Sequence, residues 1–178
     1  MNYYEEIKTQ IINNEVTKRV KDYSKNRSDL QTYYNVGKLL SEAGKHYGEG
    51  IIKEYSIKLK NEIGKKYNTT TLKRMRQFYY LIQKGAPLAH QLSWSNYVEM
   101  LPINNINAVN YYIDISIKQN LTKRELRQRI KNKEYERLDE KTKLKLTNKE
   151  PPKVEDFVKN PIIINNKNNY GEISEKVL

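Results

Sequence analysis

Arginine is the scarce cation of this sequence, and its placement is uneven. Eight occur, at Arg19, Arg27, Arg74, Arg76, Arg124, Arg127, Arg129 and Arg137, and five of them fall in two short segments, Thr71–Lys84 and Thr122–Lys133. A guanidinium is a planar fork of donors that fits a phosphate or the major-groove edge of guanine, so arginines grouped on a helix face point to nucleic acid. Gln77 and Gln128 stand beside them, and a glutamine amide matches the donor–acceptor edge of adenine. Other chemistry is short of residues. With no cysteine and only His46 and His90, disulfides and thiolate metal sites are excluded and few imidazole bases or ligands remain. No catalytic residue, metal site or cofactor is assigned to these residues.

The formal charge is +12, from 33 Lys+Arg against 21 Asp+Glu. Such a chain attracts polyanions. Lys, Asn, Ile and Tyr all have AT-rich codons, however, so the lysine excess alone says little, whereas codon bias does not explain why the arginines cluster. No basic-then-apolar signal opens the chain, and the longest apolar run is about as short as Ile162–Ile164, far below the roughly 20 residues of a membrane span. A soluble cytoplasmic protein without a membrane partner is the expectation.

Helices must position the basic residues. Ile7, Ile11, Val16 and Val20 recur at helical spacing from Glu5 to Tyr23, and a second helix runs from Asp29 through Tyr33, Val36, Leu39 and Leu40 to a stop at Gly44. A third opens near Gly48–Gly50, with Ile51, Ile52, Tyr55, Leu59 and Ile63 on one face, and ends at Gly64. The threonines at 69, 70 and 71 offer N-cap hydroxyls for a fourth. Turning 100° per residue puts Leu72, Met75, Phe78, Tyr79 and Ile82 on one side of it, Lys73, Gln77, Tyr80 and Lys84 on the other, and Arg74 and Arg76 on the borders. Gly85 and Pro87 end it. A short helix around Ser95–Leu101 uses Trp94 and Tyr97 as apolar bodies and stops at Pro102.

The strongest local signal follows. Asn107–Gln119 reads as a helix, Asn120, Leu121 and Thr122 as a tight turn, and Lys123 onward as a helix again, the layout of a helix-turn-helix whose second helix enters the major groove. Leu126, Ile130 and Lys133 form a narrow inner stripe there, while Lys123, Arg124, Arg127, Gln128, Lys131 and Tyr135 supply the outer face. The two basic helices share the pattern T-x-[KR]-x-[ML]-R-Q at an offset of 51 positions, too short a repeat to prove duplication. Tyr33, Tyr34, Tyr79, Tyr111 and Tyr112 are expected in the core, with Trp94 as a packing anchor. The expectation is thus an all-α, compact multi-helix domain over residues 1–138. A polar linker with Pro151, Pro152 and Pro161 follows over 139–161, and a stub over 162–178 opens a further domain.

Five stretches in order, Tyr33-Tyr34-Asn35-Val36-Gly37-Lys38, Gly48-Glu49-Gly50-Ile51-Ile52, Leu72-Lys73-Arg74-Met75-Arg76-Gln77-Phe78-Tyr79, Gln91-Leu92-Ser93-Trp94-Ser95 and Thr122-Lys123-Arg124-Glu125-Leu126, resemble the N-terminal domain of the YhcG-type bacterial nucleases. Tyr34 stands where that family tends to have Trp, and Asn96 where His is common. The resemblance implies a helical domain that recognises DNA, placed ahead of a PD-(D/E)xK nuclease domain using Mg²⁺. No Pro-Asp with a following Asp/Glu-x-Lys strand is found here; Glu140 and Lys143 have the spacing but lie in a polar segment. The expected function is therefore targeting to double-stranded DNA, in defence against foreign DNA, with Mg²⁺ needed only by the missing nuclease domain. A protein–protein or self-association module is the alternative, and RNA binding a third reading.

Overall fold

In this computed structural model, residues 2–20, 25–148 and 150 are described, with side chains 15–20 and 25–26 left aside. They form eight helices and no strand: α1 (Tyr3–Val20), α2 (Lys25–Tyr47), α3 (Ile51–Glu62), α4 (Thr69–Gln83), α5 (Trp94–Met100), α6 (Ile106–Lys118), α7 (Lys123–Lys131) and α8 (Glu140–Thr147). No described helix is long and apolar enough to cross a membrane. The chain divides into two compact units, residues 1–137 and 138–178.

The centre of the first unit is α2, packed against α1, α3 and α4. Buried Tyr3, Tyr4, Ile7 and Ile11 recur on one face of α1, Leu30, Tyr33, Val36, Leu40 and Ala43 on α2, and Leu72, Met75, Phe78 and Leu81 on α4. A fully buried Leu, Ile, Val, Met or Phe among these stabilises the fold by roughly 1.5–3 kcal/mol relative to exposure. Val16 and Val20, expected in this stripe, lie outside the described side chains.

Along the α2–α4 seam, Tyr34, Gly37, Ser41 and Gly44 follow one another at intervals of three or four residues, the spacing that keeps them on one helix face. Gly37 is the point of closest approach: a Cβ there would lie 2.2 Å from the Met75 carbonyl oxygen. Ser41 Oγ and Tyr80 Oη share a 2.7 Å hydrogen bond, and Gln83 Nε2 donates to Tyr34 Oη at 2.7 Å. The Tyr34 and Tyr79 rings lie 5.3 Å apart. Phe78 carries the core onward to α5, with its ring 4.8 Å from Tyr97 and 5.4 Å from Trp94, while Trp94 also meets Tyr33 at 4.7 Å. Trp94 is thus an anchor between α2 and α4. Burial pushes the Tyr97 hydroxyl up to about 12, and it donates to the Pro87 carbonyl and accepts from the Ala89 amide, both at 2.7 Å, which ties the α4–α5 connection to the core.

Three boundaries differ from the sequence expectation. Gly44 lies inside α2, and the helix ends where Gly48 takes a φ of +80°. The missing side chain at Gly44 admits the Arg76 guanidinium, 3.3 Å from where its Cβ would be. The cap of α4 is Asn68, whose side chain accepts from the Thr71 amide at 3.0 Å, so the threonine run starts the helix rather than capping it. The polar stretch after Leu138, expected as linker, opens with α8, capped by Asp139 through a 2.6 Å bond from the Thr142 amide. Pro151, Pro152, Pro161 and the 162–178 stub lie outside the described residues.

Ala in place of Gly37 tests the seam. Helix propensity alone favours Ala by up to about 1 kcal/mol, whereas overpacking against a backbone carbonyl costs roughly 3 kcal/mol. We expect Gly37→Ala to lower the thermal midpoint clearly; a midpoint equal to or above wild type would show that the seam is not closed.

Candidate nucleic-acid interface

With Leu72, Met75, Phe78 and Leu81 buried, α4 leaves Lys73, Arg74, Gln77 and Lys84 exposed. Arg74, Lys73 and Lys84 form no ion pair among the described residues. Arg76 is different: its Nη1 donates to Glu49 Oε1 at 2.7 Å, across the helix junction before α3. The guanidinium holds the Glu49 carboxyl below the usual glutamate range. Tyr80 is 41% exposed, yet its hydroxyl is engaged by Ser41.

The turn from α6 into α7 is short because both ends are capped. Gln119 closes α6, Asn120 takes a left-handed φ of +48°, and Thr122 caps α7. The Glu125 carboxylate accepts from the Thr122 amide at 2.7 Å while Thr122 Oγ1 accepts from the Glu125 amide at 3.3 Å, a reciprocal capping box. Of α7 only Leu126 is buried, so the helix is placed by its cap, by Leu126 and by its charged edge against α5. On that edge Arg127 donates from Nε and Nη2 to the two carboxylate oxygens of Glu99, each at 2.8 Å, and Lys123 Nζ lies 3.5 Å from the same carboxylate. Glu99 is only 14% exposed at its side chain, Arg127 61%. Arg127 first and Lys123 after it hold the Glu99 carboxyl below its usual range against the opposing effect of burial.

Arg129 is also committed, to Glu134 Oε1 at 3.0 Å and Gln119 Oε1 at 2.6 Å. Gln128 Nε2 donates to Asn132 at 3.2 Å on the exposed face. Arg124 and Lys131 are exposed and form no ion pair among the described residues. The structure therefore sorts the expected site residues: Lys73, Arg74, Gln77, Lys84, Arg124, Gln128 and Lys131 face outward, and Arg76, Tyr80, Lys123 and Arg127 are tied to neighbours.

Tyr135, expected on the outer face, is not there. It is buried against Tyr111, with ring centroids 5.6 Å apart, and its amide donates to Tyr112 Oη at 3.3 Å. The 100° rule fails past Lys131 because α7 ends there and Lys133, itself exposed, turns the chain through a φ of +53°. Tyr111 Oη donates to Glu134 at 2.7 Å, and burial raises the Tyr111 hydroxyl well above the ordinary range.

Sequence reasoning missed Glu49 and Glu99. They lie 27 and 28 residues before their arginines, beyond any local spacing rule. The internal repeat is matched in the surroundings of its residues: Met75 and Leu126 are buried, Arg76 and Arg127 are glutamate-bound, and Lys73, Gln77, Arg124 and Gln128 are exposed. The likeness stops at the threonines, since Thr122 caps α7 and Thr71 lies within α4. Asn96, at the position where His is common in the resembling family, is buried and completes the capping box of α5 with Ser93. Among the described residues, no group of three His, Cys, Asp or Glu side chains is arranged to hold a metal, and no catalytic site is evident.

The family model of the DUF1016 N-terminal domain matches residues 6–137. The chain belongs to that family. The match agrees with the resemblance to the YhcG-type N-terminal domain, and its end coincides with that of the first compact unit. No curated protein and no solved structure matches the sequence. Within the DUF1016 domain, α4 and α7 carry exposed basic residues on their outer faces, as α3 does with Lys53, Lys58 and Lys60.

A carboxyl whose folded pKa is lowered stabilises the fold above its ordinary pKa and loses that contribution as pH falls through the lowered value. The Glu99 clamp is therefore intact at neutral pH and lost only as pH falls through the lowered range of its carboxyl, below that of an ordinary glutamate. We expect wild type to melt above Glu99→Gln near neutrality, with the difference closing in acid. A difference that stays constant across that range would contradict the ion pair.

Proposed function

We propose that the domain of residues 1–137 binds double-stranded DNA and serves as the targeting module of a YhcG-like nuclease, with α6, the turn and α7 acting as a helix-turn-helix. The observation that carries this reading is the exposure of α7: Leu126 is its sole buried residue, and Arg124, Gln128 and Lys131 stand outward. A helix so polar is stable in water only through its caps and its edge contacts, and its free cations suit phosphate while its Gln128 suits a base edge. Lys73, Arg74, Gln77 and Lys84 on α4 give a second basic face that holds the backbone. The phosphodiester chemistry and its Mg²⁺ would belong to a separate nuclease domain, and the setting would be cytoplasmic defence against foreign DNA.

Fluorescence anisotropy of a labelled duplex, titrated across salt, tests this. Binding at about 50 mM salt should weaken steeply, with a log–log slope near −0.9 for each phosphate neutralised. Replacing Lys73, Arg74 and Lys84 together by Gln should make the slope shallower by about 2 to 3, and Arg124→Gln by about 1. Single-stranded RNA of equal length should compete poorly. No binding at low salt would overturn the reading, and dimerisation in sedimentation without it would favour an assembly module.

A further inference from the structure

Glu99 touches two of the five cations of α7, Arg127 and Lys123. It lies on α5, a different element, and is largely shielded from water. Its carboxylate meets the Arg127 fork with two parallel 2.8 Å hydrogen bonds, the same bidentate geometry an arginine uses on phosphate. Lys123 approaches the remaining side of one oxygen at 3.5 Å. One fixed anion therefore serves two cations, and any phosphate reaching that edge of α7 competes with an intramolecular partner that has already lost most of its water. At α4 Arg76 is also held by a glutamate, here through a single 2.7 Å bond to the largely exposed Glu49, beside exposed Lys73 and Gln77.

We propose that Glu99 is a positioning residue for DNA recognition: it occupies Arg127 and Lys123 as an internal counter-anion, so that duplex is met by Arg124, Gln128 and Lys131 rather than by every cation of α7. Glu99 thereby restrains sequence-independent phosphate binding and fixes how α7 lies on α5. This rests on the DNA-binding reading given above. The consequence is an affinity that rises when an acidic residue is neutralised, the opposite of what loss of a merely structural contact does. Removing the carboxylate charge frees Arg127 and Lys123, and each new phosphate contact steepens the salt slope by about 0.9 and tightens binding roughly eightfold at about 0.1 M salt.

The test compares the full chain with its Glu99→Gln, Glu99→Asp, Glu99→Gln/Arg127→Gln and Arg127→Gln variants on one duplex across salt, with circular dichroism to verify folding. Glu99→Gln should bind more tightly with a slope steeper by about 1 to 2, Glu99→Asp, which keeps the charge, should follow wild type, and the double variant should lose most of the gain. Should Glu99→Gln melt below the assay temperature, Arg127→Gln carries the test: an arginine already neutralised leaves the slope unchanged, while Arg124→Gln makes it shallower by about 0.9. Wild-type binding with an unaltered or shallower Glu99→Gln slope, or an Arg127→Gln loss equal to that of Arg124→Gln, overturns the inference alone. A wild type that binds no duplex overturns the DNA reading and the inference with it.

Discussion

The backbone of α4 runs so close to α2 at Gly37 that the Met75 carbonyl occupies the space a Cβ would need, and the other contacts along the α2–α4 seam follow from that approach. It brings Ser41 to Tyr80, Tyr34 to Gln83 and Tyr79, and Gly44 to Arg76. Helices packed at ordinary distance would interpose side chains at these points. The seam also settles the rotation of α4. With Met75 and Phe78 turned inward, Lys73 and Gln77 must face out, so the basic face is a consequence of core packing rather than of any contact the cations make.

A second layer of organisation is electrostatic. A chain with net charge of +12 repels itself, and its folded form sets glutamates against chosen arginines: Glu49 on Arg76, Glu99 on Arg127, Glu134 on Arg129. Pairs with one member open to solvent, as Glu49 and Arg127 are, contribute little to stability. Their larger effect is to decide which cations remain available. Arginine was informative in the sequence because it clusters, but clustering does not distinguish a guanidinium that meets a ligand from one that holds two helices together.

The helices and most of their buried faces could be read from spacing, because Leu72, Met75 and Phe78, or Ile7 and Ile11, obey the helical period and nothing overrides it. The turn before α7 was legible because Asn120, Leu121 and the cap residue Thr122 are adjacent in the chain, and the capping box with Glu125 is what the structure adds. What escaped reading depends on distant partners or on backbone exceptions. Gly44 has the look of a helix stop, but its neighbours in space, Arg76 and Glu49, give a glycine a reason to lie inside the helix. Tyr135 continues the outer face of α7 on a helical wheel, but Lys133 leaves the helix first. Asp139 caps a helix too polar to show an apolar stripe. The basic faces themselves were foreseen, and the pairing of their arginines was not, since Glu49 and Glu99 reach them only through the tertiary fold.

In the proposed function the outer faces of α4 and α7 meet duplex DNA, and the groove between α1 and α2 that Glu5, Glu6 and Glu42 line does not. Amide and side-chain chemical shifts of the isotope-labelled chain, followed while a short duplex is added, test it most directly. Perturbations centred on Lys73, Arg74, Gln77 and Lys84 and on Arg124, Gln128 and Lys131 are the expected result. Shifts confined to other helices, or none at saturating duplex, would contradict it.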